Sequence, residues 1–137
     1  MWDELKEELE VEMCLLDRLM ARHPELLSKG PSDSMTVVEI DALAAFLHSF
    51  YSGIENLFKR IALAIDKTLP SGEAWHGRLL ESMERPTTQR KAVVSVAMGM
   101  KLHDYLRFRH RFRHAYGFEL QWTMMAPLVA VGPYWRS

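Results

Sequence analysis

Residues 40–65 read IDALAAFLHSFYSGIENLFKRIALAI. Within them Ile40, Leu43, Leu47, Phe50, Ile54, Leu57, Ile61 and Ile65 follow one another at intervals of three and four. An α-helix of 3.6 residues per turn places such positions on one face, so the stretch predicts a helix of about eight turns running to near Leu69. Pro70-Ser71-Gly72 then stops it. A helix of that length with a single apolar stripe is the spine of a helical bundle.

The chain on either side reads as further helices. Upstream, Trp2, Leu5, Leu9, Met13, Leu16 and Met20 form one face of an amphipathic helix over residues 1–27. The run Ser28-Lys29-Gly30-Pro31 closes it, and Ser32, Asp33 or Ser34 can cap the long helix. Downstream, Trp75, Leu79 and Met83 mark a short helix over residues 73–84, and residues 85–88 form a loop. Val93-Val94-Ser95 suits extended chain with Ser95 as an N-cap. From Val96 a helix places Met98, Leu102, Tyr105, Phe112 and Tyr116 on one face, with Gly117 positioned to close it. A last apolar stretch, Trp122–Val131, is a fifth helix that Pro127 either interrupts or begins. The expectation is an all-α, four- to five-helix antiparallel bundle: one domain over residues 1–131 and an irregular tail over 132–137.

Composition agrees. A chain of 137 residues suits one domain. With 48% hydrophobic residues it is too apolar to be disordered. The single Cys14 excludes an intramolecular disulfide and a multi-cysteine zinc site. Apolar runs fall short of the roughly 18 residues of a membrane span, and the acidic start is unlike a signal peptide. These features predict a cytoplasmic domain that makes no use of a membrane. Nine Met, four Trp and the long apolar stripe suggest more apolar surface than a small bundle covers, which a second chain could bury. The plainer alternative is that the first and fourth helices cover it all.

The net charge of −1 hides an asymmetry. Residues 1–30 hold eight acids against four bases, whereas residues 101–117 hold five bases against one acid, together with three of the six histidines. In that basic segment Arg107, Arg109, Arg111 and Arg113 alternate with other residues and cannot share one helical face. Arg109 falls on the apolar stripe, while His103, Arg107, His110 and His114 form a second stripe. An Arg at a position meant for burial needs an anionic partner or a wet cleft. One reading is an ion pair with an acid of another helix. The other is a phosphate-binding surface, since a guanidinium matches phosphate oxygens. His110 and His114 are plain surface or capping groups on the first reading and proton-transfer groups on the second. A histidine beside an arginine can cleave RNA without a metal: the histidine moves a proton and the arginine stabilises the pentavalent phosphate. Arg109 and His114 lie about 140° apart on an ideal helix, so a loosened helix end or a second chain would have to bring them to one cleft.

This segment resembles the HEPN superfamily, small all-α proteins with an Arg-x(4–6)-His motif on a late helix. Arg109-His110-Arg111-Phe112-Arg113-His114 fits Arg-x4-His, and Arg107 with His114 fits the looser spacing. Extension through Ala115 to Tyr116 is similar to HepT-type toxins, which pair with MNT-type nucleotidyltransferase antitoxins. The resemblance implies a bundle that dimerises around a shared cleft, and a toxin of a type II toxin–antitoxin system. It implies metal-independent, cofactor-free endoribonuclease activity on tRNA or mRNA. In this picture Arg109 and His114 are catalytic, and Arg107, His110, Arg111 and Arg113 contact RNA or support the site. Tyr116 is then the hydroxyl that the antitoxin modifies with AMP. Two other classes remain open on the residues: a non-catalytic helical module that is partner or substrate of a nucleotidyltransferase, and a DNA-binding protein with its Arg-rich helix in a major groove.

Overall fold

A computed structural model describes residues 2–30, 33–114 and 122–131, and their side chains except at Trp2, Phe112, Arg113, His114 and Val131. Among the described residues the chain forms six helices and no strand: α1 (Trp2–Met20), α2 (Pro24–Leu27), α3 (Val37–Ile61), α4 (Trp75–Met83), α5 (Val96–His114) and α6 (Trp122–Val131). The all-α bundle expected from the apolar periodicity is the fold observed.

Local chemistry sets the boundaries, and in three places it moves them. The first helix stops at Met20, not near Leu27, and a separate turn, α2, begins with Pro24. Proline lacks the N–H of an interior helical residue and its ring collides with the carbonyl four residues back, here that of Met20. The long helix is capped by Thr36 instead of Ser32, Asp33 or Ser34. Thr36 Oγ1 accepts from the Glu39 backbone N–H at 3.1 Å, and the Glu39 carboxylate accepts from the Thr36 N–H at 3.0 Å. At its far end α3 widens into a π-helical turn, Ala62–Asp66, and stops at Lys67, which has the left-handed φ of 62°. Glu39 sits below the usual carboxylate range, chiefly because the Thr36 N–H and then Lys29 favour its charged form. That contribution to stability is present above the unfolded carboxyl value and fades as acid protonates the folded carboxylate. Thr36→Ala should lower the unfolding free energy by about 1 kcal/mol. An unchanged midpoint in urea would show that the cap is idle.

The core forms around α3. Leu43, Leu47, Phe50 and Tyr51 are buried there, against Leu79, Leu80 and Met83 of α4 and Met125 and Val129 of α6. The Phe50 ring meets Tyr105 of α5 at 5.3 Å between centroids. The Tyr105 hydroxyl donates to the Leu128 carbonyl at 2.5 Å and ties α5 to α6. α1 lies along α3, where Gly53 allows close approach: a Cβ there would come within 2.5 Å of Leu16 Cδ2. Part of the acidic face of α1 is used internally, since Arg60 of α3 pairs with Glu8 and Glu12, each at 3.2 Å. α5 begins as expected, with Ser95 Oγ accepting from Met98 N–H at 3.0 Å. α6 runs through Pro127 without interruption. The helical run from Val37 to Asp66, 30 residues, is long and apolar enough to cross a membrane by length and composition. In this bundle it is the element on which the others pack.

Candidate active site

α5 presents two faces. Leu102, Tyr105 and Phe108 point into the core. His103, Arg107 and His110, the second stripe read from the sequence, line a cleft of about 570 Å³ together with Arg111. The opposite wall comes from the start of α4, where His76 and Gly77 follow Glu73 and Ala74.

Arg109 also lines this cleft, but its guanidinium is anchored from within. Its side chain is 15% exposed, and Nη1 donates to Glu55 Oε1 at 2.8 Å. Glu55 belongs to α3 and is 3% exposed. It lies on the buried stripe Ala44, Leu47, Tyr51, Glu55, Phe58, Ala62, so the helix itself carries this carboxylate inward. The second carboxylate oxygen, Oε2, is 2.7 Å from Nδ1 of His76. One buried carboxylate thus holds two cleft residues from two different helices. Both its oxygens are charge-assisted acceptors, the condition under which a buried charge is tolerated. The Trp75 and His76 rings lie against each other, tilted by 30° with centroids 3.7 Å apart, and Lys59 Nζ stands 4.7 Å over the Trp75 ring. One turn before Glu55, the fully buried Tyr51 hydroxyl has no hydrogen-bond partner among the described residues. Burial pushes its phenol well above the ordinary value; the Glu55 charge adds to this and Arg109 opposes it.

The remaining candidates differ in how firmly they are held. Arg107 is 72% exposed and pairs with Asp104 one turn away on the same helix. Arg111 Nη1 reaches the Met124 sulfur of α6 at 3.0 Å. His103 stands 3.8 Å from Glu84 Oε1. The backbone of Arg113 and His114 closes α5, while their side chains, and Tyr116 and Gly117 entirely, lie outside the described residues. Among the described residues no three His, Cys, Asp or Glu side chains converge as metal ligands would.

Glu55 and His76 are the site residues that sequence reading missed. For Glu55 a signal existed: a charge on the buried face of α3. His76 follows a tryptophan in a short helix, and only the folded arrangement brings it to Glu55.

The fold and site together define a small helical bundle whose late helix carries Arg109-x4-His114 beside a basic cleft. The family model described as HepT-like protein matches residues 42–133, well over half of the chain, and the chain belongs to that family, within the HEPN superfamily. No curated protein and no solved structure matches it.

Proposed function

We propose that this chain is the toxin of a HEPN–MNT pair, a metal-independent endoribonuclease that cuts tRNA or mRNA. The observation that carries the reading is Arg109 held by buried Glu55 at the wall of a cleft rich in Arg and His. Among the described residues Arg109 donates to Glu55 through Nη1 alone, so the guanidinium fork retains donors for phosphate oxygens. Arg109 stabilises charge on the phosphate as the 2′-hydroxyl attacks, and His114 moves protons as general acid and base. Arg107, His110, Arg111 and Arg113 extend the positive surface along the RNA backbone. The choice of Arg109 over Arg107 rests on anchoring: Arg107 is mostly exposed and pairs only with a neighbour on its own helix. We further propose a cytoplasmic homodimer with the two clefts adjoining. An MNT-type antitoxin silences the protein by placing AMP on Tyr116, which adds negative charge that repels RNA.

The test is cleavage of bulk tRNA by purified protein in excess chelator. Wild type should cut, and Arg109→Ala and His114→Ala should each cut at least on the order of 100-fold more slowly. Equal cutting by wild type and His114→Ala would remove the motif from the mechanism.

A second reading is favoured by one observation: the Arg109 charge is already matched by Glu55. On that reading the chain is a non-catalytic module recognised by a nucleotidyltransferase. It would co-purify with that partner and cause no growth arrest when expressed alone.

A further inference from the structure

We infer that His76 is the general base of the cleft, taking the 2′-hydroxyl proton of RNA on Nε2 while Glu55 fixes its ring. The inference rests on the ribonuclease reading above and assigns a role that the Arg-x4-His motif leaves out. Three observations carry it.

First, Nδ1 of His76 is 2.7 Å from Glu55 Oε2. A carboxylate only accepts, so Nδ1 carries the hydrogen, and in the neutral ring the lone pair must then lie on Nε2. That is the tautomer a base requires. Second, the ring lines the cleft with its side chain 23% exposed, and Nε2 has no hydrogen-bond partner among the described residues. The Trp75 ring lies against it, tilted by 30°. Third, the same carboxylate anchors Arg109, so base and phosphate stabiliser are set at a fixed spacing by one side chain.

The surroundings suit a base acting on an anionic substrate. Arg109 lies beside His76, and Arg107, Arg111, His103 and His110 line the α5 wall. Lys59 sits over the neighbouring Trp75 ring. The guanidinium and ammonium groups among them draw in phosphate. Among the described residues Glu55 is the carboxylate bonded to the ring, and Glu73 is the other that lines the cleft. Glu55 then stabilises the imidazolium once the proton arrives, as the carboxylate of a Ser-His-Asp triad does.

In the step itself the 2′-oxygen bonds to phosphorus and its proton passes to Nε2. The bond from phosphorus to the 5′-oxygen breaks, and that oxygen takes a proton from His114, which leaves a 2′,3′-cyclic phosphate and a 5′-hydroxyl. Exchange with water resets both histidines. Two groups with separate tasks replace one that would have to do both.

The test uses purified full-length protein, bulk tRNA and excess chelator. His76→Asn keeps an amide nitrogen near the place of Nδ1, for Glu55, and removes Nε2. Its kcat should fall on the order of 100-fold or more with KM little changed. The acid limb of the wild-type pH profile of kcat/KM, where the base becomes protonated, should vanish. Should that variant not fold, His76→Gln asks the same question, because an amide cannot take the proton. A kcat equal to wild type, or a retained acid limb, overturns the role of His76 and leaves the ribonuclease reading intact. Wild-type protein that leaves tRNA whole overturns the ribonuclease reading, and the role of His76 with it.

Discussion

Glu55→Ala should destabilise the folded chain by about 3–5 kcal/mol, because the substitution strands a largely buried Arg109 without its counter-charge. The same change releases His76, whose ring is partly exposed and can be hydrated, so the arginine carries most of the cost. Glu55→Gln should cost less, since an amide oxygen still accepts from one of the two partners. Replacing both members of the ion pair, as in Glu55→Leu with Arg109→Met, should recover much of the loss, because apolar side chains of similar volume often match or better a buried ion pair. Urea unfolding of Glu55→Leu, Arg109→Met and the double variant completes the cycle. A Glu55→Ala protein within about 1 kcal/mol of wild type would mean that the pair is not formed as described. The double variant is the informative one for function. It should fold and leave tRNA uncut, separating what the pair does for stability from what it does in the cleft.

The parts of the fold legible in the sequence were those that burial alone dictates. The three-and-four spacing from Ile40 to Ile61 exists because α3 is the helix on which the others pack. The boundaries were less legible because they depend on single groups. The apolar spacing runs on through Pro24, but the missing N–H and the ring of Pro24 oppose a continuous helix past Met20. Ser32, Asp33 and Ser34 lie nearer the stop signal, but only Thr36 has a glutamate three residues on to complete the box. At the site, Arg109 was conspicuous as a charge on an apolar stripe. Glu55 was equally misplaced on its own stripe and went unread, and the two anomalies prove to be each other's partners. The link from Glu55 to His76 joins residues 21 apart through a carboxylate oxygen, which no local pattern records.

The charge asymmetry also takes a different form in three dimensions. Glu8 and Glu12 of the acidic first helix are taken up by Arg60, so that this part of the helix is internal pairing, not a free acidic face. The cations of α5 divide as well: Arg109 is matched by Glu55 and Arg107 by Asp104. The positive character of the cleft therefore depends on donors that remain after such pairing, and guanidinium groups, with five donors each, are the side chains that can be anchored and still bind phosphate.

Arg90→Ala should be the other severe change, with an expected loss of about 3 kcal/mol or more, although Arg90 touches no part of the cleft wall. Its guanidinium meets Asp66 as a fork, Nε to Oδ1 at 2.9 Å and Nη2 to Oδ2 at 2.8 Å, and the two side chains are 7% and 12% exposed. The same group donates to the carbonyls of Ser82, Arg85 and Lys91. One side chain therefore joins the π-helical end of α3 to the last turn of α4 and the loop leading to α5. Without it Asp66 keeps a nearly buried charge unpaired and three carbonyls lose a donor. Arg90→Lys should rescue little, because an ammonium cannot reproduce the fork or reach so many acceptors in one plane. Asp66→Asn should be milder, since the amide oxygen still accepts and the carbonyl bonds of Arg90 survive. The order Ala, Lys, Asn from most to least damaging, read from urea midpoints, is what distinguishes a bidentate anchor from a simple point charge. If Arg90→Lys proves as stable as wild type, the anchor is only a charge. The consequence reaches the cleft indirectly: α4 carries His76 at its first turn and is held by Arg90 at its last. Faster amide exchange across residues 84–94 in Arg90→Ala, with a matching fall in tRNA cleavage, would tie the stability of this connection to the position of the proposed base.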